Sequence, residues 1–245
     1  MAQRSGPRPR GRDRLGGSLP HGGDGVIRSL FGGGRKEPEL PRERGPLRCA
    51  IGGAFQIDTL GLQASLLAGE PAMGAPAGGS FIVSAVGTAR LDGDSELTRY
   101  YDDDHRMLQV IAVPGGGPET VQDVSLYGSW DSVVPGGPGE WARWTGSRGL
   151  IGAPEYDADG ILFTRFWGSG NDHADLVEFI ETVDDGERQR RIHQRCMLYA
   201  RTVGSGQEML LLNIEADLDA AAQREGSSIE FLIGYGLGVA DVHRV

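Results

Sequence analysis

The sequence predicts a mainly β fold, an antiparallel sandwich or partly closed barrel with a few short helices, α+β at the margin. Two observations carry this expectation. Runs with strand character recur from residue 80 onward, among them "SFIVSAVGTARL", "ELTRYY", "RMLQVIAV", "TVQDVSLYGSW", "GILFTRFWG", "RIHQRCMLYARTV" and "EMLLLNIEAD". Their separators, "DGDS", "PGGGP", "PGGPGE", "DADG" and "GSGQ", are turn-like, and Gly makes up 40 of 245 residues with no consistent repeat period. Many short strands joined by Gly-rich turns fit a sheet architecture better than a helical array.

Residues 1–46 are rich in Gly, Pro and Arg, a composition that buries too little apolar area to offset the entropy of ordering, and are expected to form a disordered tail. A single β-rich domain is expected over residues 47–245. Its first element is a strand through Ala50, Ile51, Ala54, Phe55 and Ile57, broken by a Gly pair. "DTLGLQASLLAGEP" then reads as a short helix with Asp58 as N-cap, Leu62, Leu66 and Leu67 on one face, and Gly69 as its stop. The strand runs follow. "ADLVEFIETV" is open between two readings: Leu176, Phe179, Ile180 and Val183 have helical spacing, whereas Val177 and Phe179 alternate with charges as in a strand. "DLDAAAQREG" reads as a late helix capped by Asp217 or Asp219 and ended by Gly226, and "SSIEFLIGYGLGVADV" as a strand leading into a bend.

Charge is divided along the chain. Residues 1–48 hold 11 Lys+Arg against 5 Asp+Glu, a net of +6, which leaves a net of −16 for residues 49–245. So acidic a body repels phosphate backbones, and no aromatics interleave with the arginines of the tail, so nucleic acid is not expected as a partner. The same charge favours cationic ligands such as polyamines. Cys49 and Cys196 match no zinc or CxxC spacing and point to a reducing compartment. No signal peptide and no apolar run of about 18 residues is present, so the expected location is the cytoplasm, peripheral at most to the inner membrane. Within the tail, Val26, Ile27, Leu30 and Phe31 make an apolar patch followed by Arg35 and Lys36, a candidate contact with a membrane surface or protein partner.

The chain lacks G-x-S-x-G, a P-loop and H-E-x-x-H, and its single lysine is Lys36, which removes lysine-dependent chemistry from the body. The densest chemical cluster is "YYDDDHRMLQV". On an extended backbone Asp102 and Asp104 project to one face and can share a divalent cation such as Mg or Ca, with His105 or Asp131 assisting. The competing reading is a hairpin loop, since both flanks are strand-like and Asp suits turn geometry; it accounts for more of the segment. Cys196 and His193 fall on opposite faces of a strand, which makes Cys196 a buried, inert thiol. Arg165 and Arg201 sit inside apolar runs, where a structural ion pair with a buried carboxylate is expected. The tryptophans Trp130, Trp141, Trp144 and Trp167 are expected to fill the core or cover its edge.

In order, "LRCAIGGAFQID", "RYYDDDHRMLQV", "VQDVSLYGSWDS", "FTRFWG" and "HQRCMLYAR" resemble the YjfK-like family of bacterial proteins, a domain of unknown function, over roughly residues 47–240. The resemblance implies a shared fold and a bacterial host, and no reaction. Family members begin with a short apolar and basic segment like "VIRSLFGGGRKEPELP". Hence residues 1–25 are expected to be untranslated upstream sequence, with the natural start at Val26. Relatives are encoded near phage-shock-protein-A-like membrane-remodelling proteins and glutathionylspermidine-synthase-like ligases. The expected function is therefore a cytoplasmic, non-enzymatic accessory or binding protein at a membrane-associated or envelope-stress assembly, with no cofactor. The alternative is a metal-dependent enzyme centred on Asp102 and Asp104.

Overall fold

The computed structural model describes residues 42–245 apart from 92, 169, 171 and 220–226. The candidate contact residues Val26, Ile27, Leu30, Phe31, Arg35 and Lys36, and the helix expected from "DLDAAAQREG" beyond Asp219, lie outside the described residues. The folded body begins earlier than composition suggests. Arg44 forms a bridge with Cys49, its carbonyl accepts the Tyr100 hydroxyl at 2.8 Å, and its guanidinium meets Asp184 at 2.5 Å.

In chain order the described elements are β1 (Ala54–Ile57), helix α1 (Leu60–Leu66), β2 (Gly79–Ile82), β3 (Ala85–Arg90), β4 (Glu96–Tyr101), β5 (Arg106–Ala112), β6 (Val121–Val133), helix α2 (Pro138–Thr145), β7 (Glu155–Ala158), β8 (Ile161–Arg165), β9 (Val177–Asp184), β10 (Gln189–Val203), β11 (Gly206–Asp217), β12 (Ser227–Gly236) and β13 (Val242–Arg244). Eight of these close an antiparallel barrel in the order β3-β4-β5-β6-β12-β11-β10-β9, with β9 returning to β3. It consists of two successive meanders, β3 to β6 and β9 to β12. The first strands of the two meanders pair with each other, and so do the last. Closure leaves these eight strands without an unpaired edge.

Strand alternation sets what faces inward. Tyr101, Met107, Tyr127, Gly234, Met209 and Ala200 follow one another across paired strands, their side chains where present pointing into the barrel, while Tyr100, Leu108 and Leu126 point out. Both faces of the longest strands are buried: Met209 and Leu211 pack inside, and Leu210, Leu212 and Ile214 pack beneath an outer layer. That is why "EMLLLNIEAD" reads as a continuous apolar run rather than an alternating one. The first meander is covered by the small sheet β13-β1-β2, where Phe55 and Phe81 pack with Tyr100, Leu108 and Val110. The second is covered by α1, α2 and the hairpin β7–β8, through Leu66, Phe163, Tyr156 and Trp144, whose ring meets Phe231 edge-on at 5.8 Å.

Several local expectations change. "SFIVSAVGTARL" is two strands in different sheets, because the chain leaves the small sheet after Ile82 and enters the barrel at Ala85. Helix α1 starts after Thr59, and Asp58 accepts only the Leu60 N–H at 2.9 Å; Leu67 is 83% exposed and takes no part in the buried face. "PGGPGE" is not simply a turn: Pro138 opens α2, where a missing N–H costs nothing, and Trp141 and Trp144 anchor it to the core. "ADLVEFIETV" resolves as strand β9, because Phe179, Glu181 and Val183 must face the barrel interior. Arg201 pairs with the fully buried Glu208 at 2.6 Å as expected, but among the described residues Arg165 meets no carboxylate; its guanidinium donates to the carbonyls of Gly152, Asp172 and Gly170.

Candidate functional site

The tetrapeptide Asp102–His105 forms the loop between β4 and β5, with His105 at a positive φ of 59°. Asp102 is consumed by the turn itself. One of its oxygens accepts the backbone N–H groups of Asp104 and Arg106, and the other accepts the Arg106 guanidinium at 2.7 Å. The Asp104 side chain is 83% exposed, and Asp131 lines a separate hollow with Trp130 and Tyr156. Asp104 and His105 do border a hollow of about 280 Å³ beside Met73 and Tyr235, from which Asp102 is absent. Among the described residues no group of three or more His, Cys, Asp or Glu side chains is placed to hold a metal ion.

The barrel interior holds polar chemistry that local sequence reading passes over. Arg99, only 2% exposed, donates to Glu181 at 2.9 Å and to Gln109 at 3.0 Å, and its guanidinium lies 5.3 Å over the Phe179 ring. The fully buried Glu181 also accepts the Tyr101 hydroxyl at 2.7 Å and the Gln194 amide at 2.8 Å. Gln194 and Asn213 reach Glu215, and Cys196 donates to Asn213 at 2.9 Å. Burial works against the Arg99 charge, but Glu181 and then Tyr101 more than offset it and hold the pKa above the usual arginine value. Burial also pushes the Cys196 thiol up to about 11, so this cysteine stays a protonated, unreactive group, as its strand position implies.

Glu215 is the one carboxyl of this network without an arginine in contact, and burial raises its pKa from 4.5 to about 7, partly opposed by Arg99. The folded protein thus binds this proton more tightly than the unfolded chain. The associated stability is fully present below pH 4.5 and is lost as pH rises through about 7. Over that window the loss is on the order of 2–3 kcal/mol. Urea unfolding of wild type and Glu215→Gln at pH 5 and pH 8 checks this. The variant should be insensitive over the range where the wild type weakens; equal slopes would remove Glu215 as the cause.

At one mouth of the barrel a cavity of about 630 Å³ opens between the strand ends and α1. Its lining includes Gln109, Ser125, Tyr127, Leu198 and Met209 from the barrel and Leu62 from α1, while Phe166, Trp167, Asp123 and Asp241 also border it. The volume is that of a small-molecule site, and barrel mouths are a recurring place for one. Gln109 joins cavity and interior, since its side-chain oxygen accepts the Arg99 Nε–H. The indole N–H of Trp167 is buried and has no partner among the described residues. Trp167 was expected to fill the core or cover its edge; it packs on the core and lines this cavity as well. A charged residue on an otherwise apolar strand face, Arg99 between Leu97 and Tyr101 and Glu181 between Phe179 and Val183, was the available signal. Nothing local signals Gln109 or Asp241, which reach the mouth only through barrel closure.

Among the described residues no helix is long and apolar enough to cross a membrane. Comparison with known proteins finds that the family described as "Protein of unknown function (DUF2491)" matches residues 26–243. The chain is similar to "Uncharacterized protein YjfK" of Escherichia coli (strain K12), with 28% identity over 220 residues, covering 88% of this chain and 94% of that protein. No solved structure matches it.

Proposed function

Because the chain belongs to the DUF2491 family, whose description states no activity, we propose from its own geometry that the domain is a non-enzymatic binding protein whose ligand occupies the barrel-mouth cavity. The observation that supports this reading is the cavity itself, about 630 Å³ with a mixed apolar and polar lining set on rigid strands. The reactive side chains nearby argue against catalysis. Arg99 and Glu181 are bonded to each other and Cys196 to Asn213 in the buried interior, and the carboxylate of Asp102 is taken up by Arg106 and the turn. Service at a membrane-associated protein assembly, with a phage-shock-protein-A-like partner, belongs to the same proposal and rests on residues 26–36 and the family resemblance.

An occluding variant tests the cavity. Gly236 borders it, and a Cβ added there meets nothing within 4 Å, so Gly236→Phe is expected to place its ring in that open space. A panel of small molecules is screened by thermal shift, with methyl resonances of Met209 and Leu198 as reporters of place. A ligand at about one hundred times its Kd stabilises the wild type by roughly 2.7 kcal/mol, and Gly236→Phe is expected to lose that gain. Ligands that stabilise both proteins equally and leave those methyls unmoved would place binding elsewhere.

A further inference from the structure

We propose that the ligand of the barrel-mouth cavity is an organic cation, an ammonium group carried on an apolar body. This deepens the binding reading above and rests on it. The residues that border the cavity include two carboxylates, Asp123 and Asp241, and no Lys, Arg or His. Neither carboxylate is neutralised: Asp123 accepts the Ser125 hydroxyl at 2.9 Å and Asp241 accepts the Gly238 N–H at 2.8 Å, and neither is in an ion pair among the described residues. The cavity is thus a place where negative charge is left over beside a space large enough for a molecule.

Three aromatic residues, Tyr127, Phe166 and Trp167, border the same space, and the face of an aromatic ring attracts a cation. The floor is apolar through Leu198 and Met209, which a hydrated inorganic ion would not wet and a hydrocarbon body would cover. Among the described residues no three His, Cys, Asp or Glu side chains converge there to hold a metal ion. An anionic ligand would bring its charge beside Asp123 and Asp241 with no cation on the wall to receive it.

The test compares phenethylamine, protonated at neutral pH, with 2-phenylethanol, a neutral molecule of similar size, titrated into the full chain with the Met209 and Leu198 methyls as reporters. The amine should bind about tenfold more tightly at low salt, the sum expected of one cation–π contact and two partly exposed carboxylates. Added salt should narrow the gap. The double variant Asp123→Asn, Asp241→Asn keeps the Ser125 and Gly238 hydrogen bonds available to the amide oxygens, and in it the gap between the two probes should shrink to the part the cation–π contact supplies. Equal binding of both probes to the wild type, lost in Gly236→Phe, would overturn the cation and leave the cavity reading standing. Failure of both probes to move the cavity methyls would also overturn the cation, and the cavity reading would then be decided by the ligand panel alone.

Discussion

Arg99→Met is expected to cost on the order of 3–5 kcal/mol of folding stability, the range found when one member of a buried ion pair is removed. The reason is what stays behind. Glu181 is fully buried, and without the guanidinium it keeps only the Tyr101 hydroxyl and the Gln194 amide as donors. Gln109 also loses the donor that holds its oxygen toward the interior. Urea unfolding of Arg99→Met, Glu181→Gln and the double variant measures the coupling. A strongly non-additive cycle is expected, with the double variant well above the sum of the singles. A loss of less than about 1 kcal/mol for Arg99→Met would mean that the interior admits water and that the pair is not buried as described.

Gly87→Ala should be the second large effect, although it adds only a methyl group. Gly87 faces Arg99 across the β3–β4 pairing, and the Glu181 carboxylate lies against its α-carbon; an added Cβ would overlap Glu181 Oε1. The carboxylate cannot swing away cheaply, because Arg99, Tyr101 and Gln194 hold it from three directions. Overpacking of this kind costs about 1–3 kcal/mol, and displacing Glu181 adds the loss of its hydrogen bonds. Thermal and urea unfolding of Gly87→Ala checks the size. The cause is checked by Gly87→Ala combined with Glu181→Ala, which should be no less stable than Glu181→Ala alone. If alanine at position 87 costs the same in both backgrounds, strand geometry and not the carboxylate explains the glycine.

Much of the fold was legible because it is written locally. Apolar and aromatic residues of strand character mark β4, β5 and the second half of β10. Clusters of Gly, Pro and Asp mark the turns between them, and the aspartates of residues 102–104 identify a hairpin loop by the same chemistry that bonds Asp102 to its own backbone. Reading failed where one residue answers to a distant partner. Arg165 sits in an apolar run as an ion-paired arginine would, yet the loop carbonyls that satisfy it come from the fold around it and not from the run. Helix α2 escaped because its Gly and Pro content signals a turn, while the tryptophans that stabilise it act through Phe231, far along the chain.

By itself the sequence determined an antiparallel, β-rich body, its hairpin loops, a buried and inert Cys196 and an acidic surface, all properties that depend on residues a few positions apart or on composition. Only the tertiary structure decided that the sheet closes, since closure rests on Val86 pairing with Asp184 and Leu232 pairing with Ser129, contacts about a hundred residues apart whose register no local pattern encodes. Closure in turn creates an inside. It turns Arg99 and Glu181 from polar residues on separate strands into one buried pair, and it brings Asp123 and Asp241 to the rim of a single cavity.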